Sequence, residues 1–201
     1  MFEIKDNVLV KYNGSEGFVR VPDGVEVIGE NAFARKDMIE SIVLPEGVKR
    51  IEKNAFFSCN SLMSVELPDS IEYIGPFAFA WCKSVAEIFL PASLEKIEDS
   101  TFYGCMNLME VEFNEGLKVI GKEAFSDCGC LMEVELPESL ENIEYGAFNK
   151  CIRLKRVEFL SPSTKCSDKA FFGCKSLVTM AGNMEVGSIF MDKIMINKMR
   201  K

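Results

Sequence analysis

Histidine is absent from the 201 residues, tryptophan occurs once, and no stretch approaches 18 consecutive apolar residues. The first absence removes the commonest general base and the commonest metal ligand together. The last leaves no membrane-spanning helix encoded. The N-terminal run MFEIKDN has no basic stretch followed by an apolar one, so no signal peptide is read there. As written, the chain is expected in the cytoplasm, unless it is a fragment whose export signal was removed. Positive charge is also in short supply: 23 Lys and Arg against 31 Asp and Glu leave a net charge of −8. A surface of that sign repels phosphate backbones and anionic membranes, which argues against nucleic acid and against membrane insertion. With only 7 Pro and 14 Gly beside 48% hydrophobic residues, the composition is that of a folded chain rather than a disordered one.

What the sequence does contain is one unit written over and over. Phe33, Phe56, Phe79, Phe102, Phe125, Phe148 and Phe171 stand 23 residues apart, each preceded by Ala except at Thr101. Five positions before each Phe is an Ile, with Cys166 the exception in the last copy; three after it is a Cys, with Lys36 the exception in the first. The unit reads L-P-x-x-[LVI]-x-x-I-x-x-x-A-F-x-x-C-x-x-L-x-x-V-x. A stack of supersecondary units, each burying its apolar positions against its neighbours, explains such a pattern.

Alternation within Ser64–Leu67 is the period of a half-buried strand, and the proline after it withholds a backbone donor. Strands are therefore expected near residues 41–44, 64–67, 87–90, 110–113, 133–136, 156–159 and 179–181. Identical strands recurring in one direction must pair in parallel, about 4.8 Å apart. The return half offers a second short extended piece around the Ile and then a tight turn carrying Ala-Phe, since some eight residues are too few for a stable helix. At the N-terminus, Phe2–Tyr12 alternates about Asp6-Asn7 and reads as a hairpin lid, after which Val19 and Val21 fall in register with Ile42 and Leu44. At the other end Val186, Ile189 and Ile194 keep the register for half a turn, and a basic amphipathic segment follows as a cap helix.

The copies SLMSVELPDSIEYIGPFAFAWC and CLMEVELPESLENIEYGAFNKC resemble the BspA-type leucine-rich repeats, over about residues 18–186. The resemblance implies an α/β-type, β-rich leucine-rich repeat solenoid. Its superhelix would be right-handed, with a parallel sheet on the concave face and short extended or 3-10 turns on the convex face. Members are found mostly in bacterial cell-surface proteins and some parasitic protists, and are associated with adhesion and protein binding, which implies a surface or secreted setting. One domain over residues 1–201 is expected: a cap with a hairpin over 1–20, seven repeats over 21–181, and a partial repeat with a C-terminal cap over 182–201. In the last full unit Leu160, Ser163 and Cys166 replace the usual Pro, Leu and Ile.

Six of the eight cysteines occupy one core position of the repeat, where Cys serves as a small buried hydrophobe. No C-x-x-C occurs and no His completes a zinc set, so no metal site is expected. Neither G-x-G-x-x-G nor G-x-x-x-x-G-K-[ST] appears, so no cofactor is expected either. So many unpaired thiols favour a reducing or anaerobic setting.

Information separate from the scaffold can lie on the outward strand positions. One row reads Ser41, Ser64, Glu87, Glu110, Glu133, Arg156, Thr179; the other reads Val43, Glu66, Phe89, Glu112, Glu135, Glu158, Ala181. This acidic strip is either a solvated face or a docking face for a protein partner with a basic patch, with Phe89 as an apolar anchor. The leading reading is a non-enzymatic interaction or adhesion scaffold acting as a monomer. Two alternatives remain. One is a cation-dependent, polysaccharide-active parallel-β-solenoid enzyme using Glu110, Glu112, Glu133 and Glu135 with Arg156 as base. The other is a purely structural surface spacer.

Overall fold

A computed structural model describes residues 1–182, and the expectations for Val186, Ile189, Ile194 and the basic tail fall outside them. The chain opens with an antiparallel hairpin, β1 (Phe2–Lys5) and β2 (Val8–Tyr12), in which Phe2 faces Tyr12 and Lys5 faces Val8. Asp6 and Asn7 turn it with φ of 49° and 62°, the left-handed pair that a two-residue hairpin turn requires.

From there each coil up to Cys166 carries two strands, and β17 begins the next. The longer ones are β3 (Phe18–Arg20), β5 (Ser41–Val43), β7 (Ser64–Glu66), β9 (Glu87–Phe89), β11 (Glu110–Glu112), β13 (Glu133–Leu136), β15 (Arg156–Phe159) and β17 (Thr179–Ala181). The shorter ones have two residues each: β4 (Val27–Ile28), β6 (Arg50–Ile51), β8 (Tyr73–Ile74), β10 (Lys96–Ile97), β12 (Val119–Ile120), β14 (Asn142–Ile143) and β16 (Lys165–Cys166). Apart from the opening hairpin the pairing is parallel; β2 joins β4 with Val8 opposite Val27, and every later pair is in the 23-residue register, as in Val19 with Ile42 and Ile42 with Val65. No helix occurs among the described residues, none therefore long and apolar enough to cross a membrane.

The expected continuous ribbon is divided. The longer strands form three sheets, β3-β5-β7, β9-β11 and β13-β15-β17, and the shorter ones form two, with β1-β2-β4-β6-β8 ending where β10-β12-β14-β16 begins. In the last coil Cys166 still pairs with Ile143, so the coil closes despite its substitutions.

The corners follow from the sequence. Proline ends the long strand and its carbonyl accepts a turn bond three residues on, as from Ile71 to Pro68 and Leu140 to Pro137. Serine hydroxyls then tie the corner to the coil before: Ser70 to Val48 O at 2.8 Å, Ser139 to Leu117 O at 2.7 Å. Where Gly116 stands in the serine column, Asn114 takes over, donating to Leu94 O at 3.1 Å.

The Ala-Phe turn is not a 3-10 helix. Its residues alternate between local bonds and bonds to the next coil: Ala32 donates to Gly29 O, while Asn31, Phe33 and Arg35 donate forward to Lys53 O, Ala55 O and Phe57 O. Two left-handed residues flank each Phe from Phe33 to Phe148 to allow this, as at Asn54 (57°) and Ser58 (59°) around Phe56. Inside the turn the seven rings stack at 4.9–5.5 Å with interplanar angles of 4–10°. Tyr12 and Phe2 of the hairpin extend the column, at 5.2 Å each.

Candidate functional site

The strand face is built by the alternation that fills the core. In β9, β11 and β13 the middle residues Ile88, Val111 and Val134 are buried, which turns Glu87, Phe89, Glu110, Glu112, Glu133 and Glu135 to solvent. Glu66 and Arg156 are exposed on the same face and Glu158 is half-buried. Phe89 is 56% exposed, an unusual position for a large aromatic amid carboxylates.

Register brings several of these side chains together. Glu110 lies opposite Glu87 and Glu112 opposite Phe89; Arg156 lies opposite Glu133 and Glu158 opposite Glu135. Arg156 is engaged by carboxylates on both sides, Glu158 in its own strand and Glu133 at 4.0 Å in the neighbouring one. A guanidinium so placed neutralises part of the row, and it cannot deprotonate to serve as a base. Glu110 and Glu133 lie on neighbouring coils but are not joined by a ladder, because β11 and β13 belong to different sheets. The same holds for Glu66, separated from Glu87 and Phe89 by the break after β7. Among the described residues no three Cys, Asp or Glu side chains are grouped so as to hold a metal ion, and the four-glutamate cation site of the enzymatic alternative is not formed.

At the β11/β13 break lies a depression of about 370 Å³ whose lining mixes apolar Met109, Met132, Val111 and Val134 with acidic Glu110, Glu133, Glu135 and Glu158 and basic Lys155 and Arg156. The methionines were not legible as surface residues. Strict alternation would turn Met109 inward, since Glu110 points out, but the strand begins only at Glu110 and Met109, just before it, is 49% exposed. Phe18, 59% exposed at the head of the first row, was missed because the repeats were counted from Val21 onward.

The cysteine column does more than fill space. Each thiol donates to a phenylalanine carbonyl 26 residues earlier, from Cys59 to Phe33 O at 3.0 Å through Cys174 to Phe148 O at 3.0 Å. Burial pushes the Cys105 thiol up to about 12 and holds Cys82, Cys128 and Cys151 well above their ordinary range. All eight cysteines are free, with only Cys130 and Cys166 partly accessible.

The family described as BspA type leucine rich repeat region matches the chain in six copies, over residues 3–131 and 118–191. Among solved structures, the leucine rich repeat protein of T. pallidum is 28% identical with a TM-score of 0.82, over 96% of this chain and 92% of its own. A leucine-rich repeat protein from Eubacterium ventriosum is 25% identical with a TM-score of 0.77, over 83% of this chain and 46% of its own. One from Bacteroides ovatus is 24% identical with a TM-score of 0.66, over 81% of this chain and 54% of its own, and bears on the fold alone. No curated protein matches the chain.

Proposed function

Given that this chain belongs to the BspA type leucine rich repeat family, we propose that it is a non-enzymatic scaffold whose strand face docks or adheres to a protein partner carrying a basic patch. The observation that carries the reading is the strip itself: Glu87, Glu110 and Glu112 exposed in register about Phe89, with Glu133 and Glu135 exposed on the next coil across the sheet break. The β9/β11 and β13/β15 ladders, with the β12/β14 pairing and the stacked core across the break between them, limit how far these side chains move apart, so little ordering entropy is lost when a partner binds. Neighbouring carboxylates focus a negative potential that steers a basic surface toward the strip, and Phe89 supplies an apolar anchor once it arrives. The protein does this as a single chain, without cofactor.

The test is affinity capture followed by binding kinetics on the recovered partner. Association should slow as salt rises, since the steering is screened. Glu110→Lys with Glu133→Lys should slow association further without moving the melting temperature, and Phe89→Ala should mainly speed dissociation. Binding indifferent to salt and to both changes would remove the strand face from the interaction. Recovery of no stoichiometric partner would favour a structural spacer.

A further inference from the structure

At one step of the stack the backbone ladders lapse together. Between the coil of Ser64–Trp81 and the coil of Glu87–Gly104, β7 does not pair with β9 and β8 does not pair with β10. At the other interruption, between β11 and β13, the opposite side stays paired through β12 and β14. Parallel coils resist bending because ladders on two sides of the cross-section hold adjacent coils at a fixed spacing. A step lacking both has no such restraint.

The core reports the same step independently. The Phe79 and Phe102 rings are 5.5 Å apart, the widest interval of the column, against 4.9–5.3 Å elsewhere. What continues across is the turn. Phe77, Phe79 and Trp81 donate to Asp99 O, Thr101 O and Tyr103 O at 3.2, 2.9 and 2.7 Å. Trp81 lies edge to face with Tyr103 and so close over Gly104 that a Cβ there would stand 2.7 Å from the indole. On the opening side the coils are tied by two hydroxyls: Ser84 to Asn60 O at 2.7 Å, and Ser93 to Ile71 O at 2.6 Å and Asp69 O at 3.0 Å.

We propose that this step is a hinge. The block ending at Trp81 and the block beginning at Glu87 rock about the turn, with the Trp81 ring on Gly104 as pivot and the hydroxyls of Ser84 and Ser93 as latches. The motion opens toward the strand face, so it changes the angle between the outward rows before and after the break and sets Glu66 and Phe89 nearer or farther apart. The hinge does not depend on the partner proposed above, and its test needs none.

Asp23, Glu46, Asp69 and Ala92 are exposed at the same corner of four successive coils, and Glu138 is exposed at that corner two coils on, all outside the turn. In a background of Cys130→Ser and Cys166→Ser, spin labels are placed on cysteines introduced in pairs two coils, or roughly 10 Å, apart. Asp23→Cys with Asp69→Cys lies before the hinge, Glu46→Cys with Ala92→Cys spans it, and Ala92→Cys with Glu138→Cys lies after it. Dipolar broadening in frozen solution should give the spanning pair a distance distribution at least twice as wide as either flanking pair. Ser84→Ala with Ser93→Ala should widen that distribution alone. Equal widths in all three pairs of the latched protein would overturn the hinge, and so would serine changes that widen all three alike.

Discussion

The thiol of Cys105 donates to the carbonyl of Phe79, 3.2 Å away in the preceding coil. The same bond recurs from Cys82 to Phe56 O and from Cys128 to Phe102 O, so a column that fills core space also knits the coils on the turn side. It works only while the sulfur keeps its proton.

Alkaline pH should therefore unfold the protein. Burial favours the neutral thiol, raising Cys105 from an ordinary 9.0 to about 12 and lifting Cys82, Cys128 and Cys151 well above 9.0. Above pH 9 the unfolded chain releases protons that the folded chain retains, so this stabilisation is complete below that pH and drains as pH climbs toward 12. Each thiol contributes a slope of up to about 1.4 kcal/mol per pH unit. Urea melts from pH 7 to 11 under reductant should show it, and Cys105→Ala should flatten the slope by about one thiol's share.

Alkylation should proceed in three tiers. Cys130, part-exposed with the Arg153 guanidinium 3.8 Å from its sulfur, should label first. Cys166, held near 12 by burial, should follow slowly. The six column thiols should label only in denaturant. Mass spectrometry of the native protein checks the order, and early modification of Cys105 or Cys128 would contradict it.

Phe102→Ala should cost about 3–5 kcal/mol, because the ring is fully buried and stacked on both Phe79 and Phe125. Phe171→Ala should cost less: its ring is 4% exposed, and its coil carries half-buried Cys166 where the others carry a buried Ile. Equal losses in urea melts would show the last coil to be packed as tightly as the middle.

Much of this was legible because a stack must fill the same pocket each time. The Phe, Ile and Cys columns follow from spacing alone, and the strands follow from alternation ended by proline. The acidic rows are visible as soon as the strands are placed. Tyr12 was not legible as a member of the ring column: it lies 21 residues before Phe33, delivered by a hairpin that obeys no repeat. The thiol–carbonyl bonds were invisible because spacing alone does not separate a small hydrophobe from a donor. The sheet breaks were invisible because Ser64–Glu66 and Glu87–Phe89 occupy the same positions of the unit as strands that do pair, and their separation is a property of the assembled stack.

Gly104→Ala should be the more damaging of two glycine replacements. Gly104 has φ +72° and would push a methyl into Trp81 at 2.7 Å; Gly47 has φ +106° and nothing within 4 Å. Backbone strain is common to both, about 1–3 kcal/mol, so the excess at Gly104 measures the indole contact. Thermal melts, with fluorescence of the single tryptophan, should show a lower melting temperature for Gly104→Ala and a shifted emission for it alone.

The forward bonds of the turn also carry a sign. The column phenylalanines from Phe33 to Phe148 each donate their N–H to the carbonyl of the following coil at 2.7–2.9 Å, from Phe33 to Ala55 O through Phe148 to Ala170 O, and Tyr12 begins the series by donating to Ala32 O. Within this one column the peptide dipoles point the same way and add as they do in a helix, with the column's negative pole at the hairpin, whereas ladder bonds such as Lys49 N–H to Glu26 O and Gly75 N–H to Ile51 O run the opposite way. A cation is favoured at that pole. In the cysteine column the residue nearest it is Lys36, whose ammonium rests 5.6 Å from the Tyr12 ring. The one break in the cysteine register is thus a counter-charge, placed beside the negative end of the turn column.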